Sequence, residues 1–557
     1  MKARPIPRRA LRLALLLGIA AQPAFAQRDT LTIGITQFPS TFHPNIESMA
    51  AKSYVLGFAR RPLTAYDPDW RLACLFCETL PTLENGLAAR EATPDGKGGL
   101  RMTFRLREGL RWGDGTPISA EDLRFAWEAG RDPATGIGPA EFYRSAYELV
   151  IEDARTVTLR LDRVTFQFAS LGDFQPLPAH VERARWQADP RGYRNRTAYD
   201  TDTSNPALWS GPFRVAAVQP GAGVTLERNP AWSGPAPAFR RIQVRTVENT
   251  AALEAQLLAG QLDMIAGELG LPVEQAAALE RRAGQRFRFA FRPGLVYEHL
   301  DVQHAHPALT DARVRRALLL AADRAQIVAR LFEGRQTVAH SSVNPLDPMH
   351  DPDVRRWGFD PAAAGALLDE AGWRRGGPDG IRRNAAGERL SLELMTTAGN
   401  RAREQVQQVL QGMWRQAGIE VRIRNEPPRV LFAETLSKRR FGGLALFAWI
   451  SAPEAVPRTT LHSGEVPTEA GNWSGQNYGG YTNPEMDALV EAIEVELDEA
   501  KRRALWVRLQ AIYADTLPAL PLWFRADAHI WPPWLEGVQP TGHLNPSSLW
   551  SETWRAQ

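Results

Sequence analysis

The sequence lacks the common motifs of nucleotide and hydrolytic chemistry. Its 557 residues contain no G-x-x-x-x-G-K-[ST] loop, no H-E-x-x-H, no G-x-S-x-G and no G-x-G-x-x-G after a strand. His304 and His306 could offer two metal ligands, but alternate positions followed by Pro307 are more typical of a loop. Carboxylates are plentiful but form no recognisable pair. We therefore predict no enzyme activity, no cofactor and no metal site, with a hydrolase of unfamiliar type as the alternative.

Long hydrophobic runs and an excess of one charge are missing as well. After residue 26, no apolar stretch approaches the 18 residues that a membrane-spanning helix needs. The formal net charge is +3, and removing residues 1–26, which hold five basic residues and no acid, leaves −2. Because polyanion binding needs a basic stripe, a chain this close to neutral is not expected to bind nucleic acid. The five basic residues are Lys2, Arg4, Arg8, Arg9 and Arg12.

The first 26 residues have the pattern of an export signal. A basic start leads into the apolar run 13–21, and Ala24, Phe25 and Ala26 form a small-x-small site that predicts cleavage after Ala26. The alternative is a membrane anchor, but nine apolar residues are too few to cross a bilayer. No cysteine follows the cleavage site, so we expect a periplasmic protein that is not a lipoprotein. The choice between the general and the twin-arginine export route stays open.

Cysteine is scarce, with only Cys74 and Cys77 in a C-x-x-C spacing. In an exported protein this spacing favours a small structural disulfide without redox activity. A thioredoxin-like redox pair and a zinc site are the alternatives. Neither has support, since no short βαβ pattern surrounds the pair and no spaced histidines lie beside it.

Strand and helix patterns alternate irregularly along the chain, which predicts an α/β protein with several domain-sized units. Residues 31–35, 102–106, 157–161 and 213–215 alternate apolar and polar side chains as half-buried strands do. Three helices have readable starts, at Asp311, Asp360 and Asn483. The first of these helices is predicted to continue through Val328, because apolar residues recur at helical spacing up to that position. Gly372 is predicted to end the second.

Several segments resemble, in order, the motifs of one family. Residues 102–122, MTFRLREGLRWGDGTPISAED, resemble the signature of family 5 extracellular solute-binding proteins of bacterial ABC importers. The motif itself is a strand, a tight turn and a helix capped by Ser119, so it is scaffold without ligand chemistry. The resemblance extends over about residues 30 to 525. The further matching segments are TFHP at 41–44, SGPF at 210–213, LERNP at 226–230, LAGQLD at 258–263, DARVRRA at 311–317, ADR at 322–324, YTNPEMD at 481–487 and LPALPL at 517–522.

The resemblance implies a two-lobed periplasmic binding protein fold with a hinge and an extra inserted subdomain (cluster C type). The first lobe would comprise residues 27–70, 205–290 and 520–557, the inserted subdomain residues 71–204, and the second lobe residues 291–519. A ligand cleft would lie between the lobes.

The resemblance also implies a function. The protein would be the periplasmic substrate-binding component of an ABC importer and would deliver a peptide or peptide-like solute to an inner-membrane permease with separate ATPase subunits. We expect a monomer. The alternatives are a binder of a non-peptide solute such as a metal chelate or a sugar, and a secreted enzyme, sensor or chaperone-like protein on the same fold.

One departure from the family pattern concerns the ligand amine. Peptide-binding members carry a Trp followed three residues later by an Asp that pairs with the peptide amine; here Trp449 is followed by Ala452. Because an unpaired buried amine is costly, either another acid replaces this Asp or the ligand lacks a free amine. Glu454 is the nearest substitute. The other candidate ligand-binding residues are Phe42, His43, Trp449, Trp473 and Tyr478, with ordinary packing as the alternative for the aromatic ones.

Overall fold

The structure is a computed structural model that describes residues 28–557 apart from 47–48, 136, 138–139, 173 and 472. The predicted signal peptide and its cleavage site lie outside the described residues. Within the part that is described, no helix has the length and apolar character needed to cross a membrane.

The chain forms both strands and helices throughout its length. The strands are β1 Thr30–Ile35, β2 Thr64–Tyr66, β3 Leu72–Cys74, β4 Ala88–Ala92, β5 Gly98–Arg105, β6 Ala146–Asp153, β7 Thr156–Leu161, β8 Phe213–Gln219, β9 Gly223–Arg228, β10 Arg241–Thr246, β11 Met264–Ile265, β12 Arg288–Val302, β13 Thr337–Val338, β14 Arg374–Arg375, β15 Arg382–Arg383, β16 Ser391–Thr396, β17 Glu420–Ile423, β18 Gly443–Ile450, β19 Ala519–Trp531, β20 Leu535–Glu536 and β21 Arg555–Ala556. The helices are α1 Ala50–Ala59, α2 Ala120–Arg131, α3 Ala140–Ser145, α4 Ala179–Ala188, α5 Ala198–Thr201, α6 Thr250–Leu258, α7 Val273–Ala283, α8 Ala312–Leu320, α9 Arg324–Leu331, α10 Pro361–Glu370, α11 Arg401–Gln416, α12 Pro428–Val430, α13 Arg458–Leu461, α14 Pro484–Val495 and α15 Glu499–Thr516.

One 11-stranded sheet runs through both lobes. Its strand order is β17-β16-β18-β12-β19-β11-β1-β10-β9-β8, and β13 pairs with β19. In the first lobe, β1 lies between two parallel neighbours, and its residues Leu31 and Ile33 are fully buried. In the second lobe, β16 and β18 are parallel, so their carboxyl ends point the same way. A separate four-stranded sheet, β4-β5-β7-β6, belongs to the inserted part of the chain.

Two long antiparallel strands, β12 and β19, connect the lobes. Their pairing is regular from Arg288 to Pro293, is interrupted between Pro293 and Tyr297, and then resumes. From Val296 onward β12 also pairs with β18 of the second lobe. A register shift bends a strand locally, so this interruption is the natural hinge between the lobes.

The helix starts follow the local signals, with one difference. Asp311, Asp360 and Asn483 each accept hydrogen bonds from backbone N–H groups of the first turn, and Gly372 has a φ of 83° just after α10. The helix that begins after Asp311 ends at Leu320, however, and does not continue through Val328. The physical reason is Asp323, whose side chain accepts from the N–H of Gln326 and starts a new helix, α9.

The remaining sequence motifs have structural roles. Ser119 caps α2 by accepting from the N–H of Glu121 at 3.3 Å, and Asp122 accepts from the N–H of Ser119 at 2.9 Å. Cys74 and Cys77 have their Cα atoms 5.2 Å apart and form a disulfide at the end of β3. This disulfide closes a turn packed beside Leu106.

Candidate ligand-binding cleft

The hinge strand β12 presents different side chains to its two faces. Tyr297, His299 and Asp301 alternate along it and line a cavity in the second lobe, whereas Glu298 faces a different cavity on the other side of the sheet. This follows from strand geometry, since successive side chains point to opposite faces. Both faces of the hinge therefore border a space into which a ligand or a moving lobe could fit.

The second-lobe cavity has a volume of about 360 Å³. Its floor is β12, and its walls come from the carboxyl end of β18, from residues 342–347 and from α15. Ile450 and Leu544 border it and are 67% and 58% exposed, although most large apolar side chains of the chain are buried. Both side chains are therefore available to contact a ligand in the cavity.

Aromatic rings form much of the cavity wall. The ring of Trp449 lies 5.8 Å from that of Tyr478, and the ring of Tyr297 is stacked on His299 at 5.0 Å. The hydroxyl groups of Tyr297 and Tyr513 are hydrogen-bonded at 2.8 Å. These rings supply rigid apolar surface, and the phenols add polar groups at its edge.

Two carboxylates line the same cavity. Asp301 is 9% exposed, and its Oδ1 lies 3.1 Å from Nε2 of His299. Asp347 uses both oxygens to accept backbone N–H groups, from Met349 and from Glu454, each at 2.8 Å. Burial raises the pKa of Asp347. Among the described residues, no group of three metal-ligating side chains is placed to hold a metal ion.

A first-lobe cavity of about 490 Å³ adjoins the second-lobe cavity, because Ala452 and Leu544 border both. It is lined by α1 and by residues near 64–66 and 170–175. The two cavities therefore meet at the junction of the lobes, where an extended ligand could contact both.

A third cavity, which we call the back cavity, lies on the opposite face of the hinge and has a volume of about 820 Å³. Glu298 and Arg403 form a bidentate ion pair there, with N–O distances of 3.1 and 3.0 Å.

Asp527 of β19 is half-buried and lines the same back cavity. Burial, strengthened by the negative charge of Glu268 and opposed by Arg525, raises the pKa of Asp527 to about 7.

We expect Asp527→Asn to stabilise the protein at high pH. An aspartate titrates near pH 4 in the unfolded chain, so its raised folded-state pKa makes wild-type stability fall from about pH 4 to pH 7 and then level off. The variant has no such loss. Its gain in unfolding free energy should therefore be near zero at pH 4 and about 2 kcal/mol at pH 8, because partial exposure screens the charge.

Thermal unfolding of wild type and variant across this pH range measures the difference. Asp353→Asn, at an exposed aspartate, is the matched control and should leave the profile unchanged. A gain of equal size at pH 4 and pH 8 would contradict the assignment to Asp527.

The structure places the candidate ligand-binding residues in different surroundings. Trp449 and Tyr478 line the second-lobe cavity together. Trp473 borders a separate, open surface pocket near His306. Phe42 and His43 are packed in the core of the first lobe, and His43 is fully buried with its Nε2 3.3 Å from the hydroxyl of Tyr193.

Glu454 also lies outside the second-lobe cavity. Its backbone has a φ of 55°, and its carboxylate borders a neighbouring pocket with Oε2 3.9 Å from Nη2 of Arg502. Its carbonyl oxygen accepts from Nε2 of Gln167 in the inserted part of the chain at 3.3 Å. The proposed substitute anchor is thus not brought together with Trp449 and Tyr478.

Sequence reasoning missed the residues of the cavity floor. Tyr297, His299 and Asp301 occur at alternate positions of the buried end of β12, and Trp506 and Tyr513 occur seven residues apart on α15. Two titratable side chains on one face of a buried strand are unusual, because such groups are rarely buried without a role. That alternation was the available signal.

The geometry defines a class of protein. Two α/β lobes share a hinge of two strands and enclose an aromatic-walled cleft, as in bilobal binding proteins that close on a small solute.

Comparisons with known proteins agree with this class. Residues 82–466 match the family described as bacterial extracellular solute-binding proteins, family 5 (middle). The oligopeptide-binding protein OppA of Bacillus subtilis (strain 168) is 24% identical over 534 residues, which cover 92% of this chain and 90% of that protein. The crystal structure of the oligopeptide-binding protein from Thermus thermophilus complexed with a pentapeptide is 29% identical, with a TM-score of 0.70 over 95% of this chain and 96% of that one.

A third similar protein was solved in complex with a ligand that is not a peptide. NikA from Brucella suis in complex with Fe(III)-EDTA shares the fold at 20% identity and a TM-score of 0.76, covering 95% of this chain and 100% of that one.

The family match includes well over half of the sequence, so the chain belongs to family 5 of the bacterial extracellular solute-binding proteins. It is a substrate-binding protein and not an enzyme, and members of its family are periplasmic or extracellular.

Proposed function

We propose that this protein captures a peptide or peptide-like solute in the cleft between its lobes and delivers it to the membrane permease of an ABC importer with separate ATPase subunits. The observation that carries the proposal is the pair of adjoining cavities at the junction of the lobes, with exposed apolar side chains at their border. The peptide ligands of the Bacillus and Thermus relatives support the same solute class.

Finer points of the proposal follow from the sequence. The protein is exported, is cleaved after Ala26 and acts as a monomer without a lipid anchor. The lobe and subdomain boundaries are those given by the family resemblance. Trp449 and Tyr478 are the aromatic walls that hold the solute, and the Cys74–Cys77 disulfide is structural.

The test is ligand binding by the mature protein, residues 27–557, freed of bound solute by unfolding and refolding. A mixture of dipeptides to pentapeptides should raise its melting temperature, and a ligand at 100 times its Kd adds about 2.7 kcal/mol of stability. Mass spectrometry should recover the bound peptide unchanged. Turnover of the peptide, or no stabilisation by any peptide in the mixture, would refute the proposal.

We expect Trp449→Ala to weaken peptide binding by about 30-fold, because truncating a buried aromatic contact at an interface commonly costs about 2 kcal/mol. Calorimetric titration with the tightest peptide from the mixture measures this loss. Trp473→Ala is the matched control, because Trp473 borders a different pocket. This variant should bind the peptide with the affinity of wild type. Equal losses for the two variants would argue against Trp449 as a cleft wall.

A further inference from the structure

We propose that the second-lobe cavity recognises a cationic group of the solute, an ammonium or guanidinium, and that Asp301 is the carboxylate that pairs with it. This inference rests on the proposed function and specifies which solutes the cleft accepts. The cationic group could come from the amino terminus of a peptide or from a basic side chain, and the experiment below separates these two sources.

The first supporting observation is the charge of the cavity. The acidic and basic side chains that line it are Asp301, Asp347 and His299, beside the phenols of Tyr297, Tyr478 and Tyr513, and no lysine or arginine is found among its described lining residues. Two carboxylates against one imidazole give the cavity a predominantly acidic lining. Since a buried negative charge without a counter-charge is costly, a cationic ligand group would restore the balance.

The second observation is the free hydrogen-bonding capacity of Asp301. His299 Nε2 donates to Oδ1 at 3.1 Å, while its Nδ1 faces the carbonyl oxygen of Tyr297 at 3.2 Å. Within the described residues, Oδ2 of Asp301 has no hydrogen-bond partner. His299 thus fixes the orientation of the carboxylate and leaves one oxygen for a ligand N–H, in the charge-assisted geometry that gives strong hydrogen bonds.

The third observation is the aromatic wall around this acid. Tyr297, Trp449, Tyr478 and Tyr513 line the same cavity as Asp301. The faces of aromatic rings attract cations, and aromatic walls combined with a carboxylate are well suited to ammonium and guanidinium groups. An apolar ligand group alone would leave the carboxylate unpaired.

The two neighbouring acids, Asp347 and Glu454, are less suited than Asp301 to pair with a ligand cation. Asp347 uses both oxygens for backbone N–H groups of its own loop and of Glu454. Glu454 lies outside the second-lobe cavity, in a pocket that adjoins the first-lobe cavity through Tyr66 and Ser170, and its Oε2 is 3.9 Å from Nη2 of Arg502. Asp301 is therefore the carboxylate of this cavity that has an oxygen available for a ligand.

The experiment titrates the mature protein, residues 27–557, with two pairs of peptides. Ala-Lys-Ala and Ala-norleucine-Ala differ only in the side-chain charge, and each is measured with a free and with an acetylated amino terminus. We expect loss of the relevant cation to weaken binding by about 30-fold or more. If acetylation lowers the affinity, the terminal amine is the cation that is recognised. If exchange of Lys for norleucine lowers the affinity, the cation is the side chain.

Asp301→Asn keeps the shape of the side chain and an acceptor for His299. We expect this variant to lose the preference for the charged peptide, while it binds the uncharged peptide with the affinity of wild type. A variant that fails to fold would bind neither peptide. Glu454→Gln, which removes a carboxylate outside the cavity, is the matched control and should keep the preference.

The outcomes separate the two proposals. If no peptide binds wild type, the proposed function fails. If peptides bind but the charged and uncharged members of each pair bind equally, or if the preference survives Asp301→Asn, cation recognition by Asp301 is overturned and the peptide-binding function stands.

Discussion

Arg403→Met should lower the free energy of unfolding by about 3 kcal/mol, because it leaves the carboxylate of Glu298 buried without its main partner. The side chains of Glu298 and Arg403 are only 7% and 14% exposed. Breaking a buried ion pair from one side commonly costs about 3–5 kcal/mol. The lower figure applies here because Arg525, with Nη1 3.7 Å from Glu298, still offers partial compensation. Equilibrium urea unfolding measures the loss.

The double variant Glu298→Gln/Arg403→Met should recover most of this stability, since neither charge then remains buried alone. Arg401→Met, at an exposed arginine on the same helix, is the matched control and should change stability by less than about 0.5 kcal/mol. A double variant as unstable as the single one would show that packing, not charge, accounts for the loss.

Local elements of the fold could be predicted from the sequence because their causes are local. The alternation at 31–35 gives the buried strand β1, and Asp360 and Asn483 cap the helices that follow them. Each of these signals depends on residues within one turn or one strand. The break between α8 and α9 was missed because Ala321 continues the apolar spacing, although Asp323 offered the competing cap.

The ligand site could be predicted only in part. Trp449 was found through the family pattern, but Glu454, five positions further on, turns away from the cavity. The cause is a left-handed backbone conformation at Glu454, combined with the bond from its N–H to Asp347, which is 107 residues distant in sequence. Contacts of that range do not follow from spacing. Asp301 was missed for the same reason, since it contributes to the cavity only once β12 pairs with β18.

Two arginines in the segments 311–317 and 322–324 also have long-range partners that the sequence does not reveal. The sequence places Arg315 and Arg324 on helices but gives no partner for either. In the structure both are buried and bind carbonyl oxygens instead of acids: Arg315 reaches Leu309 and Thr516, and Arg324 reaches three separate segments. The two guanidinium groups therefore hold segments of the second lobe together, which explains why these motifs carry no ligand chemistry.

Arg324→Met should therefore destabilise the second lobe by about 4 kcal/mol, since each buried acceptor left without a partner costs about 1–3 kcal/mol. The guanidinium donates to the carbonyl oxygens of Ala339 at 2.6 Å, Pro521 at 2.7 Å and Trp357 at 2.6 Å, and its side chain is 4% exposed. Calorimetric unfolding measures the loss.

The same change should weaken solute binding. Ala339 packs with Tyr297 and Phe524 in one buried cluster, so release of its segment loosens the wall of the second-lobe cavity. Peptide affinity should fall together with stability, and Arg324→Lys should recover part of both, because an ammonium can satisfy some but not all of the three carbonyl groups. Arg330→Met, at an exposed position of α9, is the matched control and should behave as wild type. If Arg324→Met and Arg330→Met unfold at the same temperature, the carbonyl contacts of Arg324 do not stabilise this lobe.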